Sequence, residues 1–469
     1  MHKFSMNYDK LRKIKKTLGL VFLCAMTGCG AKEASVKEVN VENVVGSMEE
    51  NVKENALDAT QETILETTES SAEVIEETKE EITEESIEEN TVEENIEETI
   101  VEIIEESEEE TATVETNTEG QGMEVKRDEN MFDDPVTFAA NMGLGWNLGN
   151  TLDATDGFGL ESEISWGMPY TTKELIDYIK ECGFTTIRIP TSWSKHMDAN
   201  GIVDAAWMNR VKQVVDWALE DDFIVILNTH HDNDSYYPTD THLEQSKQYL
   251  SAVWAQIAGE FKDYDQRLVF EAMNEPRLSG TDIEWWFQSS DERGCDAIRC
   301  VVELNQFFVD LIRRSGGNNG ERFLMVPSVC ASPDNAFNSN FSMPVDPAEK
   351  MILSVHAYTP YDFTMNDNGY SNWDASKKGE MNFLKKLKTQ FIDKGYGVVV
   401  GEFGATNKDN IDARVAWARD YMGTANSLGI PCVLWDNGLT KIGNENFGMI
   451  DRNNLKVYYP QLLEALLNP

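Results

Sequence analysis

Short apolar runs alternate with longer amphipathic stretches between residues 135 and 469, and this alternation constrains the fold more than any other feature. Continuous β-branched and apolar runs are typical of strands buried on both faces, as in a parallel sheet covered by helices. The candidate strands are Gly143–Leu148, Thr185–Pro190, Phe223–Thr229, Leu268–Met273, Phe323–Val326, Ile352–His356, Val398–Glu402 and Pro431–Trp435. Eight strand–helix units over about 300 residues predict an α/β fold, the closed (β/α)₈ TIM barrel.

The stretches between these strands have helical spacing of apolar residues. The predicted helices are Thr172–Cys182, Trp207–Glu220, Leu243–Lys262, Val301–Arg314, Leu384–Lys394 and Ile411–Leu428. A doubly wound open sheet is the alternative architecture, but no glycine-rich phosphate-binding segment follows the first strand. The pattern therefore favours the barrel.

The first 29 residues are typical of an export signal. A basic segment precedes the apolar run Leu18–Met26, which is too short for an ordinary membrane-spanning helix. The run ends in Met26-Thr27-Gly28-Cys29, which resembles a bacterial lipobox and would make Cys29 a lipidated residue. A signal peptide cleaved near Gly28 or Ala31 is the alternative. Either interpretation predicts an extracellular protein, at the cell surface or secreted.

Residues 30–124 are predicted to be a disordered acidic spacer. Residues 31–120 contain no Phe, Tyr, Trp or Pro, and they have 31 Asp and Glu against 4 Lys. Such a segment cannot bury enough apolar surface to fold, and it would extend by charge repulsion. A tail without a role is the alternative. Residues 125–469 would then form the one globular domain.

The net charge of −43 argues against nucleic acid as a partner. Membrane contact is expected only through a lipid anchor at Cys29, and the globular part is expected to be a monomer. Cys182, Cys330 and Cys432 lie in or beside apolar runs and are interpreted as buried residues. Cys295 and Cys300 are close enough in sequence to form a local disulfide, which the sequence leaves open.

Polar side chains follow almost every candidate strand. In a barrel of parallel strands, catalytic groups collect at the carboxyl ends of the strands. The candidate site residues are Asn147, Arg188, His230, His231, Asn274, Glu275, His356, Tyr358, Glu402 and Trp435. Two carboxylates among them, Glu275 and Glu402, each close an apolar run, which predicts a pair of acidic groups facing one cleft.

A pair of carboxylates at one cleft indicates hydrolysis of a glycosidic bond. Glu275 is the candidate acid, and Asn274 beside it would bond the 2-hydroxyl of the sugar. Glu402 is the candidate nucleophile, which Arg188 and Tyr358 would keep ionised. Carboxyls roughly 5–5.5 Å apart would give retention of configuration through a covalent intermediate.

The other candidates would bind the substrate. The indole of Trp435 offers an apolar face for a pyranose ring, and His230 and His356 would donate or accept hydrogen bonds. Each residue also has a structural interpretation, as an ion pair or as core. His230, His231, Asp232 and Asp234 resemble metal ligands, but neighbouring residues of a strand point to opposite faces, so no metal and no cofactor is expected.

Seven segments in order along residues 135–469 resemble the bacterial glycoside hydrolases of family 5, the endo-β-1,4-glucanase or cellulase family. They are Gly145–Asp153, Ile187–Pro190, Asn228–Asp232, Asn274–Arg277, Ser354–Phe363, Gly401–Gly404 and Trp435–Gly438. The resemblance implies that Glu275 is the acid/base, that Glu402 is the nucleophile and that a β-glucan is the substrate. The motifs are most similar to those of the endoglucanase, lichenase and xyloglucanase subfamily.

One departure concerns the aromatic residues of the cleft. Relatives often have Trp shortly after the His-His-Asp segment, and here Tyr236 or Tyr237 is expected to replace it. Further cleft-lining candidates are Trp166, Trp193, Trp285, Trp286 and Trp373, and the segment between Arg277 and Val301 is expected to be a loop. Mannan, xylan or β-1,3-glucan remain alternative substrates, and a non-catalytic surface glycan-binding protein is the alternative from another class.

Overall fold

Eight parallel strands form a closed barrel, which confirms the predicted (β/α)₈ architecture. The computed structural model describes residues 130–443 and 445–469, so the predicted export signal (1–29) and acidic spacer (30–124) lie outside the described residues. The strands pair in chain order, and the eighth pairs with the first. They are β1 Gly145–Leu148, β2 Thr186–Ile189, β3 Ile224–Asn228, β4 Leu268–Glu271, β5 Leu324–Pro327, β6 Met351–His356, β7 Gly397–Phe403 and β8 Cys432–Asp436.

One helix precedes the first strand, and the others follow the strands and cover the outside of the barrel. They are α1 Pro135–Ala140, α2 Lys173–Glu181, α3 Ala205–Glu220, α4 Leu243–Glu260, α5 Glu292–Arg314, α6 Pro333–Ala336, α7 Tyr361–Thr364, α8 Asn382–Gln390, α9 Ile411–Ser427 and α10 Pro460–Leu467. A two-stranded antiparallel sheet, β9 Ile450–Asp451 and β10 Lys456–Val457, follows β8. None of the helices in residues 130–469 that the structure describes is long and apolar enough to cross a membrane.

Helix α5 begins nine residues before the predicted start at Val301. The side chain of Asp291 caps it by accepting from the backbone N–H groups of Arg293 and Gly294. Gly294 hides the helix from a sequence pattern, because glycine disfavours helices. A glycine is required there, since a Cβ atom would lie 2.1 Å from the Phe287 ring. The predicted loop is therefore confined to residues before 292.

The described cysteines are all free, so Cys295 and Cys300 do not form the local disulfide that the sequence leaves open. Cys295 and Cys300 both lie on α5. Residues five apart on an α-helix point about 140° away from each other, because each residue turns the helix by about 100°. Helical geometry therefore keeps the two sulfur atoms apart.

The two faces of the barrel sheet bury two separate apolar clusters. The outer face packs on the helices, and the inner cluster fills the amino-terminal half of the barrel. Helix α1 closes that end, where Phe138 stacks on Phe323 with 3.8 Å between ring centroids. Toward the carboxyl end, the inward positions become polar, as in Arg188 on β2 and Glu271 on β4. An apolar floor therefore supports a polar layer.

An extra residue in β7 directs Glu402 into the barrel. Val398 and Val400 belong to the outer cluster and Val399 to the inner one, so simple alternation would point Glu402 outward. The register between β6 and β7 shifts here, from Val355 opposite Val400 to His356 opposite Glu402. A bulge of this kind re-aims the following side chain. Glu402 consequently faces the cleft.

Candidate active site

Arg188 lies at the centre of the polar layer and has no exposed surface. Its Nε donates to Glu271 Oε2 at 2.7 Å, and its Nη1 donates to Glu402 Oε1 at 2.8 Å and to Asn147 Oδ1 at 2.9 Å. Its Nη2 donates to Asn274 Oδ1 at 2.6 Å. One guanidinium thus fixes side chains from β1, β4 and β7 and from the segment after β4.

Glu271 is a third buried carboxylate, which the sequence analysis did not single out. Besides Arg188, it accepts from Asn228 Nδ2 at 2.9 Å and from Ser354 Oγ at 2.6 Å. Four strands therefore meet at this one side chain. A charged residue at an inward position of an apolar strand, two after Val269, was the available signal.

Asn147 lies beneath the cleft, not in contact with it. Its side chain is fully buried, and its Nδ2 donates to Gly401 O at 2.9 Å and to Val433 O and Leu434 O at 3.3 Å. Its Oδ1 accepts from Arg188. With every polar atom in use, Asn147 positions Arg188 and joins β1 to β7 and β8, which corrects the expectation of a substrate contact.

Glu402 accepts a hydrogen bond on each of its oxygen atoms. Arg188 bonds Oε1, and the hydroxyl of Tyr358 donates to Oε2 at 2.9 Å. Burial and the charge of Glu275 raise the pKa of Glu402, whereas His356, Arg188 and Tyr358 oppose that rise. Burial together with the charge of Glu402 raises the pKa of Tyr358 well above its usual value, so Tyr358 remains a donor.

Glu275 lies in the segment after β4 and contacts two cationic or donor groups. Its Oε1 bonds His356 Nδ1 at 2.8 Å, and its Oε2 lies 3.7 Å from Arg277 Nη1. Burial by itself raises the pKa of Glu275, but His356 and Arg277 outweigh it, and the net pKa is lowered. Arg277 also donates to the backbone oxygen of Glu275 at 3.2 Å, so it positions this carboxyl from two sides.

The two carboxyls approach each other closely, with His356 between them. One oxygen of Glu275, one oxygen of Glu402 and a ring nitrogen of His356 lie within 4.8 Å of one another. Burial by itself lowers the pKa of His356, but the two carboxylates outweigh it and raise the pKa. His356 and Glu275 share a hydrogen bond. The raised pKa of His356 and the lowered pKa of Glu275 therefore both describe a pair that holds one proton.

His230 and Trp435 form another wall of the same site. Their rings are parallel within 2°, with centroids 5.8 Å apart. Asn228 Nδ2 lies 3.2 Å from His230 Nδ1, so an amide N–H faces this nitrogen and the ring proton belongs on Nε2. Burial lowers the pKa of His230 well below its usual value, so the ring is neutral. Gly149 leaves room for the indole, since a Cβ there would lie 3.0 Å from the Trp435 ring.

His230 and His231 lie side by side, which corrects the expectation that they face opposite ways. Their rings meet edge to face at 4.4 Å. Strand β3 ends at Asn228, so the alternation of a strand does not apply to them. With Asp153 they form a cluster of metal-ligating atoms within 4.8 Å. This set fits a metal poorly, because Nε2 of His230 carries the ring proton and therefore has no lone pair to offer a metal ion.

Several aromatic residues lie elsewhere than expected. Tyr236 and Trp193 are fully buried, so neither ring can contact a sugar. Tyr237 is half-buried, and its hydroxyl donates to Ser279 O. Trp166 is near His231, at 5.3 Å between ring centroids. The half-buried Trp373 donates from its indole N–H to Asp420.

Trp285 and Trp286 are exposed in the loop between β4 and α5, with 57% and 70% of their surfaces accessible. Arg277 lies over the Trp285 ring, 4.2 Å from its centroid, and its Nε donates to Glu284. The cation that contacts Glu275 therefore also supports an exposed aromatic surface.

Two carboxyls facing each other at the carboxyl ends of barrel strands define a class of protein, the glycoside hydrolases. The family model described as cellulase (glycosyl hydrolase family 5) matches residues 150–441. Endoglucanase B of Ruminococcus albus is 44% identical over 343 residues, which cover 71% of this chain and 81% of that protein. The chain belongs to glycoside hydrolase family 5.

Solved structures give the same family. A mutant glycoside hydrolase 5 lichenase from Caldicellulosiruptor sp. F32, in complex with cellotetraose, is 40% identical with a TM-score of 0.69, over 71% of this chain and 94% of that one. The xyloglucan-specific endo-β-1,4-glucanase XEG5A from a metagenomic library, in complex with cellotriose, is 37% identical with a TM-score of 0.67, over 71% and 98%. The resemblance stated from the motifs is confirmed.

Proposed function

We propose that this enzyme is an endo-acting, retaining glycoside hydrolase that cleaves β-1,4-glucosidic bonds in cellulose, mixed-linkage β-glucan or xyloglucan. The observation that supports it best is the approach of Glu275 and Glu402, with carboxyl oxygens within 4.8 Å. Retaining enzymes need this short separation, because the nucleophile must reach the anomeric carbon without an intervening water; inverting enzymes separate the carboxyls by about 6.5–9.5 Å.

In the first step, Glu402 is the nucleophile and Glu275 the acid. Arg188 bonds one oxygen of Glu402 and Tyr358 bonds the other, and these two hydrogen bonds fix the orientation in which the carboxylate attacks. Glu402 forms a bond to the anomeric carbon while the bond to the leaving oxygen breaks and Glu275 gives that oxygen a proton. This proton is the one that Glu275 and His356 share through their hydrogen bond.

In the second step, Glu275 acts as a base. Having lost its proton, it accepts one from a water that attacks the anomeric carbon and releases Glu402. Arg277 and His356 stabilise the ionised Glu275 of this stage. The side-chain oxygen of Asn274 accepts a hydrogen bond from Arg188, so the amide N–H₂ of Asn274 is the group available for the sugar 2-hydroxyl.

The remaining residues would bind the sugar. The half-buried Trp435 offers the face of its indole to a pyranose ring, and the Nε2–H of His230, whose ring is parallel to the indole, donates a hydrogen bond to the sugar. The relatives support a β-glucan, since they are described as endoglucanases, a lichenase and a xyloglucan-specific endo-β-1,4-glucanase.

A substrate panel tests the proposal. Reducing-sugar release from carboxymethylcellulose, mixed-linkage glucan, xyloglucan, xylan and mannan should be fastest on the β-glucans, with a rapid fall in viscosity. Glu402→Ala and Glu275→Gln should each lose activity, while Glu260→Gln on the outside of α4 should not. NMR of the first product should show the β-anomer. Hydrolysis with inversion, or full activity of Glu402→Ala, would refute the mechanism.

We also propose that residues 125–469 are the catalytic domain, that residues 1–29 direct export and that residues 30–124 are a spacer from a lipid anchor at Cys29. The basic and apolar segments and the lipobox-like sequence support this. Cells fed labelled fatty acid should label the chain, and Cys29→Ser should abolish the label. An unlabelled, released protein would favour a secreted enzyme.

A further inference from the structure

Four arginines are buried in the described part of the chain, and one of them differs from the rest. Arg188 bonds two carboxylates, Arg322 donates to four backbone oxygens, and Arg452 donates to Gly149 O and to a second backbone oxygen. Arg414 is 3% exposed, yet its Nε and Nη1 have no hydrogen-bond partner among the described residues. Arg452 leaves only its Nε without a partner and lies 3.9 Å from a carboxylate oxygen of Asp436, whereas Arg414 leaves two charged donors unmatched.

Arg414 remains a cation in this environment. Burial lowers its pKa to about 10, which still leaves it protonated at neutral pH. The guanidinium carbon lies 4.9 Å from the centroid of the Tyr459 ring. A ring face attracts a cation, and the Tyr459 side chain also hydrogen-bonds the guanidinium. Tyr459 carries no full negative charge, however, and Nε and Nη1 still have no partner among the described residues.

Arg414 lines a small cavity behind the proposed sugar platform. The cavity leaves about 10 Å³ in which the centre of a water-sized sphere can lie, which is room for one small particle. Its wall includes Trp435 of β8 and Gly404, which comes two residues after Glu402. The remaining lining residues are Ala405, Trp417, Leu434, Phe447, Met449, Leu462 and Leu466. Apart from Arg414, these side chains carry no charge.

We propose that this cavity binds one small monovalent anion, a chloride or bromide ion, with Arg414 as its cationic ligand. An isolated charge in an apolar interior is costly, and a bound anion would neutralise it and accept from both free nitrogens. The small volume excludes phosphate, sulfate and carboxylates. Apolar walls favour weakly hydrated halides over fluoride, which gives up its water less readily.

The position of the site predicts an effect on the cleft. The ion would bridge α9 to the ends of β7 and β8, which carry Glu402 and Trp435. Its binding should therefore lower KM for a polysaccharide by fixing the Trp435 indole. The proposal itself does not rest on the enzymatic function, because binding is measured without substrate.

Anomalous diffraction from crystals of the protein in sodium bromide tests the site directly. We expect a bromide peak within bonding distance of Arg414 Nε and Nη1. The Tm for thermal unfolding of the full chain should be higher in chloride and bromide than in fluoride and sulfate at equal ionic strength. At ten times the dissociation constant, the unfolding equilibrium constant should fall about 11-fold. An ordered water alone, without a halide-specific shift, would overturn the proposal.

Variants separate the site from general salt effects. Arg414→Gln should lose the halide response, while Arg419→Gln on the exposed face of the same helix should keep it. Leu466→Phe should also lose it, because the larger ring fills the cavity and leaves Arg414 in place. A halide response that survives in both Arg414→Gln and Leu466→Phe would place the ion elsewhere and refute the assignment.

Discussion

Replacing Glu271 by Gln tests whether the polar layer depends on a balance of charge. The substitution keeps the shape, and an amide oxygen in place of Oε2 still accepts from Arg188 and Asn228. The hydroxyl of Ser354 can rotate to accept from the new N–H₂. What is lost is one of the two negative charges that face the buried guanidinium, Glu402 carrying the other.

The magnitude follows from the contact of 2.7 Å between Arg188 Nε and Glu271 Oε2, with both side chains fully buried. Two charges about 4 Å apart attract by roughly 4 kcal/mol at an effective dielectric constant of 20. Removing one partner of a buried pair typically costs about 3–5 kcal/mol. Because the amide retains the hydrogen bonds, we expect Glu271→Gln to lose about 3 kcal/mol of unfolding free energy.

Urea denaturation of the protein measures this loss, with Glu260→Gln as the matched control. Glu260 pairs with Lys212 at 3.1 Å, and each side chain is about one-third exposed, so its loss should cost less than about 1 kcal/mol. Equal stability of the two variants would refute the reasoning.

The activity of Glu271→Gln gives a second readout. As the proposed nucleophile, Glu402 must be ionised to attack, and the uncompensated charge of Arg188 would favour its ionised form. The pKa of Glu402 should therefore fall, and the acid limb of the kcat/KM profile should move to lower pH. An unchanged limb, or one moved to higher pH, would show that Glu271 has no electrostatic influence on Glu402.

Three further predictions concern the cleft. Arg277→Gln removes a charge that lowers the pKa of Glu275. This pKa should rise, so the basic limb of the kcat/KM profile should move to higher pH. An unmoved limb would contradict an electrostatic effect of Arg277 on Glu275. Gly401→Ala places a Cβ 3.3 Å from His356 Nε2. Displacement of that ring should lower kcat by about 100-fold. A wild-type kcat would show that the bulge tolerates a side chain. Trp435→Ala should raise KM on soluble β-glucan about 10-fold, as expected for about 1.4 kcal/mol of ring contact, and Trp435→Phe should restore part of it.

Most of the barrel was predictable from the sequence, because its signals are local. Strands β4 and β6 begin within one residue of the predicted starts, since a run of apolar residues marks a buried strand without reference to its partners. The sequence predicts helix α5 only from Val301, although the helix begins at Glu292. Gly294 lies in the unpredicted first turns, and the packing of Phe287 explains that glycine.

The members of the site were also largely visible in the sequence, since a parallel barrel brings the carboxyl ends of all its strands to one face. This geometry predicts one shared site for Glu275, Glu402, Arg188, His356 and Tyr358, and the structure joins them by direct contacts. The sequence did not single out Glu271, whose partners come from three other strands.

What the sequence alone determined is therefore the order of the strands and the residue types at their ends, because each depends on a few neighbours along the chain. The tertiary structure decided which side chains face the cleft. The bulge at Gly401 turns Glu402 inward, the end of β3 frees His230 and His231 to lie side by side, and burial removes Asn147 from the substrate. Each outcome depends on the register between strands and on packing between residues distant in sequence, neither of which a local pattern contains.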